Sequence, residues 1–282
     1  MTSTRDPAST RALRAPSRPP AQDAPEAMRR HRLLVPALRL LLIVLAACAW
    51  QIVVVTGAVP ESAVATPTGV AAQIGPLVTT GAFWSAFWST VATWAIGLVA
   101  ATVIAVPAGL LLGSSRIAYR LSRFTMDFLR TIPPIALVPL VLLMFGATER
   151  MALILVIFGS AGSLLLPTMY GAQHVEPQAR DVARGYRLRR RDTVWHILVP
   201  SAMPFIATGL RISATISLLL AIGAELIGGA PGLGNQISID QQNNHIPQMY
   251  AYIVVCAALG AVVNLAMARL ERRVIRWSPS HR

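Results

Sequence analysis

The segment 175–200, VEPQARDVARGYRLRRRDTVWHILVP, lies between two long apolar runs and is rich in arginine. In its first half, small or apolar side chains recur at helical spacing on one face, while charged side chains occupy another. The apolar positions are Val175, Ala179, Val182, Ala183 and Tyr186, and the charged positions are Glu176, Arg180, Arg184 and Arg187. This pattern predicts a short amphipathic helix. A second short segment, 189–199, carries Trp195 and Leu198 and precedes Pro200.

On either side of this segment the chain is too apolar for an ordinary water-soluble domain. Of its 282 residues, 54% are hydrophobic and 13% are charged, whereas a soluble domain has about 25% charged residues. Six segments are apolar and long enough to cross a hydrocarbon core, which takes roughly 20 residues. They are 34–56, 86–112, 131–147, 150–170, 204–228 and 248–268. Without the alternating ten-residue pattern of membrane β-strands, the predicted fold class is an all-α integral membrane protein with six transmembrane helices.

The arginines are distributed very unevenly between the connections of these spans. Of the 25 arginines, 24 lie in one set of segments and only Arg150 falls in the other. The rich set comprises the N-terminal tail to Arg39, segments 114–130 and 171–203, Arg211 and the end from Arg269. The poor set comprises 57–85 and 229–247, which hold no arginine, and the tight turn 146–150, which holds Arg150. Because basic residues favour the cytoplasmic side, we expect both termini and both basic connections to be cytoplasmic.

The same reasoning divides the chain into three parts. Residues 1–32 are rich in proline and arginine and poor in large apolar groups, so they predict a disordered cytoplasmic tail. Residues 33–275 form the six-helix domain, which includes the connection 171–203, and residues 276–282 form a second cytoplasmic tail. A lipoprotein-type cleavage site at Cys48 is the alternative for the first span, but the apolar run continues past it, so we expect no cleavage.

Composition also excludes several kinds of function. The sequence contains no lysine, which removes a P-loop lysine and a Schiff-base lysine. Cys48 and Cys256 both lie in apolar runs, and the five histidines show no ligand spacing. We therefore expect no catalytic site, no metal and no cofactor. The net charge of +13 in so apolar a chain indicates a membrane or protein partner rather than nucleic acid.

Several residues within the predicted spans are candidates for a transport pathway or gate. Pro133, Pro134 and Pro139 interrupt the third span, either as a kink beside a pathway or as a structural kink. Glu225, three residues before Gly228, is a functional candidate because a carboxyl group within a membrane is costly. We favour a structural or gating pair for it over substrate contact.

Three further polar residues follow in the fifth span. Arg211 is expected either to extend to the interface or to neutralise an anion. Ser213 and Ser217 share one helical face and either line a pore or allow close helix packing. Just before the third span, Asp127 and Arg130 are three residues apart and are expected to form a surface ion pair.

The central segment resembles the EAA loop of ABC importer permeases. That loop reads Glu-Ala-Ala, three residues, Gly, nine residues, Ile, any residue, Leu-Pro, and here Asp181-Val182-Ala183, Arg187 and Ile197-Leu198-Val199-Pro200 stand in the same register. Further similarity to the sulfonate, taurine and nitrate branch lies in Arg130–Pro133, Ala136, Pro139-Leu140, Phe145-Gly146, Pro204, Thr208–Arg211, Ala224-Glu225 and Gly232–Gly234. Arg187 replaces a glycine that suits a positive φ, so the turn lies either there or at Gly185.

The resemblance implies the permease subunit of a type I ABC importer. Such a subunit has no cofactor, lies in the bacterial plasma membrane as a homodimer, binds a separate cytoplasmic ATPase and receives its solute, here a small organic anion, from an external substrate-binding protein. The residues implied in ATPase contact are Asp181, Val182, Ala183, Tyr186, Arg187, Ile197 and Pro200, with Asp181 capping or anchoring the first short helix.

Three alternatives remain at this point. The basic helix could simply rest on anionic lipid headgroups. The protein could be a secondary transporter driven by an ion gradient, although that class usually shows several carboxylates near the membrane midplane. It could also be a membrane scaffold that transports nothing. Association with an ATPase would distinguish these functions.

Overall fold

The computed structural model describes residues 24–60, 63–175 and 177–275, and this part of the chain contains helices and no strand. It divides into two units, of which the first ends at Ile52 and the second begins at Val53. The helices are α1 Ala24–Val55, α2 Pro67–Val78, α3 Gly81–Ser114, α4 Arg116–Leu129, α5 Val138–Phe145, α6 Glu149–Gln173, α7 Pro177–Gly185, α8 Arg190–Thr193, α9 Val199–Gly228, α10 Leu233–Gln242 and α11 Ile246–Val274. A 3-10 turn, Pro134–Leu137, precedes α5, and a π-helical segment, Val194–Leu198, precedes α9. The all-helical class expected from the sequence is confirmed.

The predicted tails fall mostly outside the described residues. Residues 1–23 and 276–282 are not among them. Helix α1, which makes up the described part of the first unit, begins at Ala24. The division at residues 32 and 275 therefore stays a prediction.

Four helical stretches are apolar and long enough to cross a membrane: Gly81–Ser114, Glu149–Gln173, Arg191–Gln242 and Ile246–Val274. Helix α4 and the following Pro134–Phe145 pass the same test only as a pair, bent by 67°. The apolar part of α1, Leu41–Val55, is shorter than the roughly 20 residues of a full crossing. These helices support a multi-pass membrane protein, while the count of six spans stays a prediction.

The third predicted span, 131–147, is not the single helix that was expected. The structure ends α4 at Leu129 and places the 3-10 turn and the eight-residue α5 in its stead. Two consecutive prolines, Pro133 and Pro134, end a helix because neither has an N–H and because each disfavours helical conformation in the residue before it. Pro139 lies in the first turn of α5, where a missing N–H breaks no hydrogen bond, so it does not kink that helix.

The two arginine-free connections are structured. Helices α2 and α10 lie in them and join the start of α3 and of α11 in one hydrophobic cluster, which includes Val70, Leu77, Phe83, Leu233, Ile237, Ile246 and Tyr252. Thr66 begins α2 by accepting a hydrogen bond from the Gly69 N–H at 3.2 Å, and Pro67 suits the first helical position. The sequence interpretation of these stretches as plain connections missed both helices.

Helices α3, α6 and α9 form the centre of the second unit. Their backbones approach closely because small residues lie where they meet: a methyl group added to Gly113 of α3 would collide with the Met169 carbonyl oxygen and with Ala172 of α6. The Trp94 indole N–H also donates to the Ala214 carbonyl oxygen at 2.9 Å, which joins α3 to α9. These three helices are the frame that positions the candidate residues.

Candidate functional site

The turn after α7 lies at Arg187. This residue has φ of 50°, in the left-handed region, and the next N–H, of Leu188, donates to the Ala183 carbonyl oxygen at 3.0 Å. A left-handed residue followed by such a bond is a common way to end a helix. Gly185 is the last residue of α7 and does not have a positive φ. The turn therefore falls where the resembled motif has its glycine.

The side chains of this segment divide into buried and exposed sets. Ala183 is 9% exposed, whereas Tyr186 is 79% and Trp195 is 62% exposed. Asp181 lies in the middle of α7 and not in its first turn, so it does not cap this helix, and its anchoring role stays a prediction. The side chain of Val182 lies outside the described residues. The exposed side chains of this segment therefore include basic groups and two aromatic rings.

The second half of the segment continues without a break into α9, one of the three central helices. Residues 190–228 are helical throughout, passing from α8 through the π-helical segment into α9. The wider π turn precedes Pro200, whose ring would clash with the carbonyl of residue 196 in a regular α-helix. Ile197 lines a cavity of about 380 Å³ together with Ser114 of α3 and Ala172 of α6. The segment is thus attached to the ends of all three central helices.

A larger cavity lies beside the break at Pro133 and Pro134. It measures about 470 Å³, is mostly apolar, and is bounded by α3, α4, α6 and α9. Arg130 and Ser163 are its polar lining residues, and Pro134 forms part of its wall. The expected ion pair between Asp127 and Arg130 is wrong, because Asp127 pairs instead with Arg123 at 3.6 Å, one helical turn earlier. Arg130 is exposed beside this cavity.

Glu225 is fully buried near the Gly228 end of α9. Its Oε2 accepts one hydrogen bond from the Thr90 hydroxyl at 2.8 Å and another from the Gly234 N–H at 3.0 Å. The Thr90 hydroxyl oxygen in turn accepts from the Leu233 N–H at 2.9 Å. We call these four residues the Glu225 cluster. It joins α3, α9 and the start of α10, which is the arrangement of a structural pair rather than of a free carboxyl group.

The glycine just before α10 makes room for this carboxyl group. A Cβ atom at Gly232 would collide with the Glu225 carboxyl, and the φ of 155° at this position is also unfavourable for other residues. Packing against the Glu225 carboxyl therefore explains the first glycine of the Gly-Leu-Gly sequence at 232–234.

Arg211, nearer the N-terminal end of α9, forms an ion pair. Its guanidinium lies 3.1 Å from Glu271 Oε2 of α11, and the Thr208 hydroxyl donates to Glu271 Oε1 at 2.8 Å. The structure thus gives Arg211 a partner that neither sequence alternative included. Because Arg211 and Glu225 are 14 residues apart on one helix, their Cα atoms are separated by about 21 Å.

Ser213 and Ser217 of α9 are buried, and their hydroxyls donate to backbone carbonyl oxygens. Ser213 donates to the Ser160 carbonyl oxygen at 3.1 Å and Ser217 to the Ala214 carbonyl oxygen at 3.0 Å. Both are 0% exposed. The burial of both serines, and the Ser213 bond to α6, favour close helix packing over the pore-lining alternative.

The predicted residues do not form one site. Those expected to contact an ATPase lie in one segment, whereas the candidates for a pathway or gate are spread along α9 and the break before α5. Sequence reasoning missed Thr90 and Glu271, whose partners lie 135 and 60 residues away along the chain. Within the described ranges, no group of three or more His, Cys, Asp or Glu side chains is placed to hold a metal.

Comparison with known sequences points to one branch of membrane proteins. SsuC of Bacillus subtilis (strain 168), provisionally named an aliphatic sulfonates transport permease protein, is 26% identical over 232 residues, which cover 82% of this chain and 84% of SsuC. The nitrate import permease protein NrtB of Synechocystis sp. is 31% identical over 181 residues, covering 64% and 66%. The bicarbonate transport system permease protein CmpB of Synechococcus elongatus is 29% identical over 194 residues, covering 67% and 70%.

Solved structures share the fold. Inward-facing MetNI, a methionine ABC transporter, matches with a TM-score of 0.57 at 21% identity over 66% of this chain and 93% of that one. An amino acid ABC transporter with histidines matches with a TM-score of 0.54 at 20% identity over 73% and 95%. A family model described as binding-protein-dependent transport system inner membrane component matches residues 101–276, more than half of the chain. The chain therefore belongs to this family of membrane permease components of ABC transporters, which are not themselves enzymes.

Proposed function

We propose that this chain is the permease subunit of an ATP-driven importer, working by alternating access with a separate cytoplasmic ATPase and an external substrate-binding protein. The proposal includes six spans, cytoplasmic termini in the plasma membrane, and a homodimer. The arginine partition supports the orientation. The family supports the two partners.

The observation that carries the proposal is the geometry of segment 175–200. It resembles the EAA pattern, has its left-handed turn at Arg187, where that pattern has glycine, and exposes the Tyr186 and Trp195 rings within an arginine-rich segment. Exposed aromatic and arginine side chains are typical of protein contact surfaces. Because the same segment continues into α9, a contact made here is connected directly to the central helices.

The proposed cargo is a small anion. Relatives are named for sulfonates, nitrate and bicarbonate, all of which are negatively charged at neutral pH. Arg130 beside the cavity of about 470 Å³ would attract such a solute. Pro134 in the cavity wall supports its assignment to the pathway, since irregular backbone at membrane depth is found where it lines a cavity or is packed in protein.

The test is whether ATPase activity accompanies the chain and depends on its exposed aromatic surface. The tagged protein is purified from its own membranes, and ATP hydrolysis is measured in the eluate. Tyr186→Asp places a charge in the proposed contact without altering a buried group, so we expect at least a tenfold loss of co-purified ATPase activity and of anion uptake.

Trp88→Ala is the matched control. Trp88 is 59% exposed on α3, about 39 Å along that helix from Ser114, which lines the cavity beneath the segment. The Trp88→Ala protein should retain the wild-type level of co-purified ATPase activity. An eluate free of ATPase activity, or a Tyr186→Asp protein with its full complement, would contradict the proposed coupling.

A further inference from the structure

Helix α4 is held against the second unit by only one of its faces. The Tyr119 ring meets Tyr170 of α6 edge to face at 5.9 Å, and Met126 packs against the cluster around Leu164. No residue of α4 is buried. The helix is therefore a surface element, and the described residues leave two further faces of it uncovered.

One uncovered face is an apolar stripe. Ile117, Leu121, Phe124 and Phe128 recur at helical spacing and are 62–81% exposed. The stripe is two to three turns long, about 17 Å from end to end. Exposed apolar side chains aligned in this way mark contact with a lipid or a protein rather than with water.

The adjoining face is basic. Arg116, Arg120 and Arg123 follow one another at the same helical spacing and line a groove of about 520 Å³ that also includes Phe124 and Asp127. Arg123 pairs with Asp127 and lies over the Tyr170 ring at 5.7 Å, whereas Arg116 and Arg120 have no ion pair in the described part of the chain. The groove thus keeps a net charge of about +2.

The two faces are about 100° apart around the helix, so a molecule in the groove reaches the stripe through Phe124. We propose that this groove binds the phosphate headgroup of an anionic phospholipid, with an acyl chain of that lipid along the Ile117–Phe128 stripe. Arginine binds phosphate oxygens through paired N–H groups, and an in-plane amphipathic helix has its apolar side in the acyl region and its arginines at headgroup level. The 67° bend between α4 and the following stretch Pro134–Phe145 agrees with an α4 that lies in the plane of the membrane.

Charge and shape favour a lipid over two other occupants. In a two-fold contact through this face, a second copy would bring its own Arg116 and Arg120 toward those of the first. Free phosphate would match the arginines but leave the apolar stripe uncovered. The inference depends on membrane location and not on ATPase coupling, so it fails or holds independently of the proposed function.

The test measures lipid retention by the full-length protein. Purified protein is titrated with phosphatidylglycerol or phosphatidylcholine, and bound lipid is counted by native mass spectrometry. We expect phosphatidylglycerol to be retained at least tenfold better. The double variant Arg116→Gln/Arg120→Gln should lose about 10- to 30-fold of that affinity, because each basic residue near an anionic membrane contributes several-fold.

Arg189→Gln/Arg191→Gln is the control, since it removes the same charge from two exposed arginines of segment 175–200. Equal losses in both double variants would show unspecific attraction and overturn the proposal, as would equal retention of the two lipids by the wild type. Displacement of phosphatidylglycerol by millimolar inorganic phosphate alone would indicate a free-phosphate site instead. Loss of a dimer in Leu121→Ser/Phe124→Ser with unchanged lipid binding would assign the stripe to a second copy and also overturn it.

Discussion

The Glu225 cluster should stabilise the protein by a measurable amount. In Glu225→Ala, two buried donors, the Thr90 hydroxyl and the Gly234 N–H, lose an acceptor that now lies 2.8 and 3.0 Å away. A buried donor left without a partner costs about 1–3 kcal/mol. Thr90 can turn toward the Ala86 carbonyl oxygen at 3.2 Å, so the loss falls mainly on Gly234. Including the void left by the side chain, we expect about 2–4 kcal/mol of lost stability.

Glu225→Gln separates a structural role from substrate contact. The amide oxygen can replace Oε2 as acceptor, and the other oxygen, Oε1, has no hydrogen-bond partner among the described residues. The retained acceptor keeps both donors bonded, but the NH2 group that replaces Oε1 has no partner there, so we expect a loss of about 1–2 kcal/mol, smaller than for Glu225→Ala. Glu149→Ala is the control, because Glu149 is exposed and accepts only a 3.4 Å bond from Ser89.

The assay is thermal unfolding of the purified full-length protein, followed by intrinsic fluorescence, together with anion uptake. The melting temperature should fall in the order wild type, Glu225→Gln, Glu225→Ala, with Glu149→Ala near wild type. A Glu225→Ala protein as stable as wild type would refute the reasoning. A Glu225→Gln protein that melts normally and fails to transport would assign Glu225 to the solute instead.

Two further predictions concern the turn and the topology. Arg187→Gly should keep the co-purified ATPase and gain up to about 1 kcal/mol of stability, since a non-glycine residue with positive φ is strained. Arg187→Val should lose the ATPase. Co-purification of the ATPase checks both variants, and an ATPase kept by Arg187→Val but lost by Arg187→Gly would place the turn elsewhere. In a background with Cys48 and Cys256 replaced by serine, a cysteine at Ser238 should react with an impermeant reagent from outside the cell and one at Arg191 should not; the opposite labelling would invert the proposed orientation.

Local patterns predicted what local forces determine. The sequence predicts the amphipathic helix in 175–200 and offers Arg187 as a position for the turn, because helix formation and a left-handed turn depend on near neighbours. The same is true of the long apolar runs. At 131–147, however, the apolar run predicts one helix, whereas the missing N–H groups of Pro133 and Pro134 prevent a continuous helix there.

Contacts between distant residues were the part that sequence patterns did not reveal. The role of Glu225 depends on Thr90, 135 residues earlier, and Arg211 finds Glu271 60 residues later. Neither pairing leaves a periodic signal, because it arises only after α3, α9 and α11 pack together. The lesson for this chain is that charged residues in apolar runs identify important positions, and that only the packed structure identifies their partners.

In the proposed transport cycle, the unbroken helix from residue 190 to residue 228 would act as a lever arm. Trp195 lies near one end and Glu225 near the other, 30 residues and about 45 Å apart. A tilt of about 5° around one end would carry the other through about 4 Å, close to the diameter of a small anion. Since the Glu225 cluster ties the far end to α3 and α10, such a tilt would carry those elements with it as one body, and no separate hinge at the Gly228 end would be needed.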